Sequence, residues 1–159
     1  MEVFNSPQQF SRHFFGKSFS IGMVPTMGAL HKGHLSLVKK SISQNDSTVV
    51  SIFINPTQFN NVDDLKTYPS DINKDLELLR SISDKIIVFN PESDELYAGD
   101  IKPDQFNFNE LDRYMEGEFR GNHFAGVATV VSKLFSLIKA DYAYFGEKDF
   151  QQLRIIENL

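Results

Sequence analysis

Two histidines and two glycines share a short segment where a strand-like run of residues passes into a helix-like run. His31 and His34 are three positions apart, and Gly28 and Gly33 lie beside them. Glycine lets a ligand approach the backbone closely, and a helix N-terminus offers N–H groups and a partial positive charge. A lone histidine here would most simply be a surface or core residue. The pair in a glycine-flanked turn instead predicts a phosphate-binding site.

Two further segments carry polar groups directly after β-rich runs. Gln58 has an amide that both donates and accepts hydrogen bonds, which suits a ligand with hydroxyls and a carboxylate. Near the end of the chain, Gly146 allows a tight turn and Lys148 offers a compact cation for phosphate oxygens. Either segment by itself reads as an ordinary polar turn. Their position after predicted strands favours a ligand site.

The elements that must position these segments alternate along the chain. Short β-rich runs with few charges alternate with longer runs of helical periodicity, which is typical of a parallel sheet covered by helices on both faces. We therefore predict one α/β domain over 1–159 with a doubly wound sheet, and ligands at the carboxyl ends of its strands. Asp71 is a candidate cap for the second helix. The predicted strands are 20–24, 48–54, 85–89 and 141–145, and the main predicted helices are 35–42, 72–82 and 126–138.

Composition excludes several classes of function. The chain has 159 residues with a net charge of −5, and it contains no cysteine, which removes disulfides, thiolate metal sites and cysteine nucleophiles. No stripe of Lys and Arg is available to neutralise a nucleic-acid backbone. No apolar run approaches the roughly 20 residues of a membrane helix, and the first residues lack the pattern of a secretory leader. We expect a cytoplasmic protein with no nucleic-acid or membrane partner.

Several motifs together resemble one enzyme family. The turn from Pro25 to His34, with T-x-G-x-x before H-x-G-H, resembles the nucleotidylyltransferase superfamily. The segments N-P-T-Q-F (55–59) and F-G-E-K-D-F-Q-Q-L (145–153) are similar to those of the pantothenate synthetase (pantoate–β-alanine ligase) family. The similarity is nearly colinear from about residue 20 to 159. H-x-G-H is shared by other transferases, but the three segments together are characteristic of this family.

The resemblance implies a Rossmann-like domain of nucleotidylyltransferase type and a two-step reaction. Pantoate would attack the α-phosphate of ATP, supplied with Mg²⁺, and the amine of β-alanine would then displace AMP. The resemblance assigns the catalytic role to His34, pantoate binding to Gln58 and Gln152, and β-alanine binding to Gln58. It also implies a homodimer, and it suggests no protein ligand for the metal. The implied ATP-binding residues are Met27, Gly28, Ala29, Leu30, His31, Lys32, Gly33, His34, Gly146, Glu147, Lys148 and Asp149.

The sequence departs from the family pattern in two ways. Ser70 stands where the family usually has arginine, and Gly121-Asn122 stand where it usually has Pro-Gly. The family also continues beyond the position of Leu159 into a Ser-Ser-Arg loop and a C-terminal domain that closes over the nucleotide. We expect this chain to be an N-terminal domain lacking that C-terminal domain. Without the loop and the closure, it should bind ligands weakly and turn over little.

Other polar residues are left outside the predicted site. Arg120 and His123 could add positive charge near the substrate, but a structural role is equally well supported by their motif. His13 has no motif around it, and we interpret it as solvated. Gln151 should point away from the side that Gln152 faces, because neighbouring helix positions diverge. Carboxylates at 63, 64, 71 and 75 are available, but magnesium in such enzymes usually binds to the triphosphate with few protein ligands.

Two alternative functions remain open from the sequence. One is another enzyme of the superfamily, such as a phosphopantetheine adenylyltransferase, which shares the turn from Thr26 to His34. Gln58 and the G-E-K-D segment argue against it. The other is a non-catalytic module that binds nucleotide or dimerises through a sheet edge.

Overall fold

A computed structural model describes residues 1–16 and 18–159 of the chain. Five parallel strands form one sheet in the order β1-β4-β3-β2-β5. This arrangement confirms the predicted α/β class and the parallel sheet. The strands are β1 (Glu2–Phe4), β2 (Ile21–Thr26), β3 (Ser47–Ile52), β4 (Ile87–Phe89) and β5 (Tyr142–Ala143). The helices are α1 (Pro7–Phe14), α2 (Lys32–Gln44), α3 (Val62–Thr67), α4 (Ile72–Arg80), α5 (Ser93–Tyr97), α6 (Glu116–Arg120), α7 (His123–Ile138) and α8 (Phe150–Ile156), with a 3-10 turn at Pro56–Gln58.

Helices cover both faces of the sheet, and the alternation of side chains along β3 shows how. Val49 packs on one face in a cluster with Phe10 of α1 and Val131 of α7. Val50 points to the other face and packs with residues of α2 and α4 such as Leu79. All of these side chains are fully or almost fully buried. Burial on both faces explains why the strands carry few charges.

The order of the strands creates a switch point beside β2. From β2 the chain proceeds to β3 on one side, and later places β5 on the other side of β2. The register pairs Thr26 with Ile52 at the carboxyl end of β2 and β3, and Met23 with Ala143 on the β5 side. In doubly wound sheets this is the place where ligands bind. The segments after β2, β3 and β5 are the ones that carry the candidate chemistry.

The N-terminal strand and helix were missed by the sequence analysis. β1 has only three residues, which is too short to show a period, yet it pairs with β4 over its whole length. Signals for α1 were present: Pro7 occupies the first turn, and Phe10 and Phe14 are four residues apart on one face.

The interpretation of His13 as simply solvated is wrong. The ring of His13 lies 4.9 Å from that of Phe4, and Nδ1 is 3.4 Å from a carboxylate oxygen of Glu2. The residue sits on α1, so it ties that helix to β1. Its position depends on a strand that the sequence pattern did not reveal.

Caps and element ends follow the predictions in part. The carboxylate of Asp71 accepts the N–H of Lys74 at the start of α4, as predicted. The helices around the candidate site are longer than periodicity indicated, because α2 begins at Lys32 and α7 at His123. β5 is shorter than predicted. None of the helices in the described part of the chain is long and apolar enough to cross a membrane.

Candidate active site

A cavity of about 280 Å³ opens at the carboxyl ends of the central strands. It brings together side chains from the segments after β2, β3 and β5, which are far apart in the sequence. The predicted residues His31, His34, Gln58, Asp149 and Gln152 all line it. The other lining residues are Pro25, Thr26, Met27, Ser51, Phe53, Asn55, Tyr68, Val127, Val130, Val131, Leu134 and Phe145.

His31 ends the turn between β2 and α2, and His34 lies in the first turn of α2; residues 27–34 are here called the histidine loop. Their ring centroids are 4.1 Å apart with an angle of 33° between the planes. Nδ1 of His31 accepts the N–H of Gly33 over 3.1 Å, so His31 is the N-cap of α2. Because Nδ1 is the acceptor, the neutral His31 ring carries its hydrogen on Nε2. That N–H is left to act as a donor.

His34 is half-buried, and one of its ring nitrogens has no hydrogen-bond partner among the described residues. Its pKa is lowered, first by burial and then by His31, while Asp75 and Asp149 act in the opposite direction. The ring is therefore neutral near pH 7. Nδ1 of His34 and Oγ of Ser51 are both buried and lack a hydrogen-bond partner among the described residues. Buried polar atoms are rarely left unpaired, so both atoms call for a polar partner such as a bound water or a ligand group.

Three consecutive backbone amides of the histidine loop already have partners within the protein. The N–H of Gly28 donates to Oγ1 of Thr26 over 3.2 Å. The N–H groups of Ala29 and Leu30 donate to the carboxylate of Asp75 over 3.0 and 2.7 Å. These three amides are therefore not free to bind a phosphate, but they precede α2 and are not the helix N-terminal amides that the sequence analysis named. The side chains of His31 and His34 remain able to meet a phosphate.

Asn55 organises the turn after β3, and this residue with the 3-10 turn Pro56–Gln58 is here called the Asn55 turn. Asn55 is 1% exposed, and its side chain makes hydrogen bonds to four residues. Nδ2 donates to Oε1 of Gln58 over 3.1 Å and to the carbonyl of Gly126 over 3.0 Å. Oδ1 accepts from the hydroxyl of Tyr97 over 2.6 Å and from Oγ1 of Thr57 over 3.0 Å. The network fixes the direction of the Gln58 amide.

Gln58 completes its contacts across the cavity, where Nε2 lies 2.8 Å from the sulfur of Met27. Because a thioether is a weak acceptor, a stronger acceptor on a ligand would replace it readily. The amide is thus held in place but keeps donor capacity for a substrate. The binding of pantoate and β-alanine by Gln58 stays a prediction.

Helix α7 packs tightly against the Asn55 turn. A Cβ added at Gly126 would lie 2.4 Å from the carbonyl oxygen of Thr57 and 2.7 Å from the nitrogen of Gln58, so only glycine fits there. Nδ1 of His123 donates to the carbonyl of Gln58 over 2.9 Å. Burial lowers the pKa of His123, as does the Arg120 guanidinium to a smaller extent. His123 is therefore a buried structural residue of the turn.

The adjacent glutamines of α8 have different roles, as the sequence analysis predicted. Gln152 lines the cavity, as Gln58 does. Gln151 is buried and faces away, where Nε2 donates to the carbonyls of Leu111 and Tyr114 and Oε1 accepts the N–H of Glu116. Gln151 therefore fastens α8 to the preceding loop.

The turn after β5, here called the lysine turn (146–149), is exposed along its whole length. The Lys148 side chain is 94% exposed, and its nearest carboxylate is that of Asp149 at 3.9 Å. A Cβ added at Gly146 would have open space around it. Arg120 is also exposed and pairs with Glu116 at 2.9 Å rather than lining the cavity.

The comparisons identify the family. The family model described as pantoate-beta-alanine ligase matches residues 2–159. The chain belongs to this family. A pantothenate synthetase of Christiangramia forsetii is 56% identical over 140 residues, which is 88% of this chain and 50% of the relative. A pantothenate synthetase of Francisella philomiragia is 45% identical over 165 residues, which is all of this chain and 61% of the relative.

Solved structures of pantoate-beta-alanine ligases share the fold. The enzyme from Francisella tularensis, described as complexed with beta-gamma ATP and beta-alanine, has a TM-score of 0.93 and 41% identity. The match covers 99% of this chain and 61% of the Francisella tularensis chain. The pantothenate synthetase of Thermus thermophilus has a TM-score of 0.91 at 37% identity, with 56% of that chain covered. The chain spans about half the length of the curated relatives it matches.

Some residues of this ligase-family site were missed by the sequence analysis or given other roles. Asn55 was quoted only as part of a motif, and Tyr68 was assigned no role. Asp75 was considered only as one of several carboxylates available to magnesium. A signal for Asn55 was present, because asparagine before Pro-Thr at the end of a strand is a common side-chain cap. No local signal joins Asp75 to a loop that lies 45 residues earlier.

Proposed function

We propose that this chain forms the ATP- and pantoate-binding domain of a pantothenate synthetase. In the proposed reaction, a carboxylate oxygen of pantoate attacks the α-phosphorus of ATP and pyrophosphate leaves. The nitrogen of β-alanine then attacks the acyl carbon of the pantoyl adenylate and AMP leaves. One observation carries the proposal: a single cavity joins the paired imidazoles His31 and His34 to the amides Gln58 and Gln152.

The imidazoles suit the phosphate side of this reaction. An anionic nucleophile approaches an anionic phosphate and further negative charge develops on pyrophosphate, so fixed donors are the main requirement. The low pKa of His34 leaves a neutral ring that donates one N–H. A bound triphosphate next to His34 would raise that pKa again, because the negative charge favours the imidazolium. His34 is therefore our proposed catalytic residue, donating to the phosphate oxygens.

The amides suit the pantoate side. Gln58 is held by Asn55, and its Nε2 can exchange the sulfur of Met27 for a carboxylate or hydroxyl oxygen. Gln152 offers a second amide from α8. A ligand gripped from both sides keeps its carboxylate oriented for attack. We also propose that Gln58 contacts β-alanine in the second step.

The remaining parts of the proposal concern the nucleotide and the assembly. ATP enters as its Mg²⁺ complex, in which the ion binds mainly to substrate phosphates. The lysine turn, including Gly146, Glu147, Lys148 and Asp149, is proposed to contact the nucleotide together with the histidine loop. Lys148 is available for this because its ammonium is almost entirely exposed. We further propose a cytoplasmic homodimer, which sedimentation at several protein concentrations would test.

Thermal denaturation with added ligands tests the proposed function. A ligand that binds only the folded chain raises the midpoint by mass action. We expect stabilisation by pantoate, by Mg²⁺–ATP and by both together, with the pantoate effect lost in Gln58→Ala. Gln9→Ala on the exposed face of α1 is the control and should respond like the unchanged chain. Stabilisation by phosphopantetheine but not by pantoate would overturn the proposal in favour of an adenylyltransferase.

A further inference from the structure

Asp75 is a buried charged residue that the proposed chemistry does not use. It lies in the first turns of α4, its side chain is 3% exposed, and it borders the histidine loop. Oδ2 accepts the N–H of Ala29 over 3.0 Å and Oδ1 accepts the N–H of Leu30 over 2.7 Å. Each carboxylate oxygen of Asp75 thus accepts a hydrogen bond from one of two consecutive amides of the loop. Hydrogen bonds to a charged acceptor are about twice as strong as neutral ones.

The loop adopts a backbone shape that needs such support. Gly28 has a φ of +79°, and Ala29 has a φ of +50° in the left-handed region that side chains other than glycine rarely adopt. A Cβ added at Gly28 would lie 2.9 Å from Oδ2 of Asp75. The glycine therefore provides both the backbone conformation and the space for the carboxylate. The conformation of the loop and the position of the Asp75 carboxylate therefore depend on each other.

The Asp75 carboxylate also affects the pKa of His34. The charged and titratable groups that act on this imidazole are His31 of the same loop, Asp75 of α4 and Asp149 of the lysine turn. His31 favours the neutral ring, and the two carboxylates favour the charged ring. Removing the charge of Asp75 should therefore lower the pKa of His34 further. A purely structural bond to the loop would not have this effect.

We propose that Asp75 is a positioning residue that fastens the histidine loop to α4 and so directs His31 and His34 into the cavity. The residue acts through the loop and does not touch the substrate. The expected effect on ATP rests on the proposed function. The attachment of the histidine loop to α4 does not rest on the proposed function, since it concerns contacts within the chain.

The test replaces one carboxylate oxygen while keeping the shape of the side chain. In Asp75→Asn, one N–H of the loop would face an amide NH₂ instead of an acceptor. Asp46→Asn is the matched control, because that carboxylate also accepts two hydrogen bonds, from the N–H and the hydroxyl of Ser20. Neither Asp46 nor Ser20 lines the cavity.

Three measurements are made on each chain. We expect the amides of Ala29 and Leu30 to exchange with solvent faster in Asp75→Asn than in the unchanged chain, and the NMR titration of His34 to shift to lower pH. Mg²⁺–ATP should bind about tenfold more weakly. Asp46→Asn should leave all three unchanged. If Asp75→Asn does not fold, Gly28→Ala provides the second variant, with the same exchange and binding results expected.

The outcomes separate the two proposals. Unchanged exchange at Ala29 and Leu30, together with an unchanged His34 titration, would overturn the positioning role whatever the chain binds. Faster exchange and a shifted titration in a chain that binds no ATP would support the positioning role and count against the proposed function. Equal ATP affinity in Asp75→Asn and in the unchanged chain would show that the hydrogen bonds from the histidine loop to Asp75 do not contribute to ATP binding.

Discussion

The two sides of the cavity are built very differently. On one side, the Asn55 turn is held by a buried side chain with hydrogen bonds to four residues, and the adjacent histidine loop is held by Asp75. On the other side, the lysine turn is exposed throughout, and Lys148 is 94% exposed. One side is fixed before any ligand arrives, and the other has few contacts that fix it.

In the proposed function, the Asn55 turn meets pantoate, and the histidine loop and the lysine turn both meet ATP. Donors that are fixed in advance need no reorganisation when charge develops, which is the principal source of electrostatic stabilisation in enzymes. The Asn55 turn and the histidine loop meet this condition. An exposed lysine must lose side-chain freedom on binding, which offsets part of what its charge contributes. We therefore expect the Asn55 turn to determine pantoate affinity, the histidine loop to contribute most to ATP affinity, and the lysine turn to adjust ATP affinity.

The largest expected effect comes from removing the centre of the fixed side. In Asn55→Ala, the hydroxyl of Tyr97 and the carbonyl of Gly126 lose a buried partner, so the free energy of unfolding should fall by about 2–4 kcal/mol. Urea denaturation measures the change. Asn61→Ala removes only an exposed cap of α3 and should cost about 1 kcal/mol. Equal losses in the two variants would contradict the account of the Asn55 turn.

A pair of glycine substitutions compares the two sides directly. Gly126→Ala places a Cβ against the backbone of the Asn55 turn and should cost about 1–3 kcal/mol of stability, with weaker pantoate binding. Gly146→Ala meets open space in the lysine turn and should change stability by less than about 0.5 kcal/mol. Thermal unfolding of both variants provides the comparison. A loss in Gly146→Ala as large as that in Gly126→Ala would show that the lysine turn is also closely packed.

Acidification should weaken the fixed side, because His34 and His123 both have a lowered pKa in the folded chain. Unfolded histidine titrates near pH 6.5, so below that value the unfolded chain binds more protons than the folded chain. Stability is therefore fully present above about pH 6.5 and falls as the pH drops through the lowered folded values. Urea midpoints at neutral and mildly acidic pH measure the loss. His123→Asn keeps a donor for the Gln58 carbonyl without the titration, and it should lose less; an equal loss would contradict the assignment.

The smallest effect is expected in the lysine turn. Lys148→Ala removes an exposed ammonium whose nearest carboxylate is 3.9 Å away, so stability should change by less than about 0.5 kcal/mol. Mg²⁺–ATP should bind a few-fold more weakly, and the difference should shrink as salt is added. Calorimetric titrations at two salt concentrations measure both. An ATP affinity equal to that of the unchanged chain at low salt would remove Lys148 from the proposed site.

The sequence predicted the class of fold and the segments that meet at the cavity, because both depend on local patterns. Alternating apolar runs predicted the parallel sheet, and the switch-point rule directed attention to the segments after β2, β3 and β5. Helical spacing also separated Gln152 from Gln151. These features repeat over several residues, so a single chain is enough to show them.

The supporting contacts could not be predicted in the same way. The bond from Asp75 to Leu30 joins residues 45 positions apart, and the bond from Asn55 to Gly126 joins residues 71 apart. Such pairs leave no period or motif in the sequence. β1 was missed for another reason, since three residues cannot show alternation and its place depends on pairing with β4.

The central claim is that the fixed side binds pantoate without help from the lysine turn. An NMR titration of this chain with pantoate, followed by Mg²⁺–ATP, tests it most directly. We predict that pantoate alone shifts the amide signals of the Asn55 turn and the side-chain signal of Gln152, and that 146–149 shift only when Mg²⁺–ATP is added. Pantoate shifts that are absent from the Asn55 turn, or that appear first in the lysine turn, would contradict the claim.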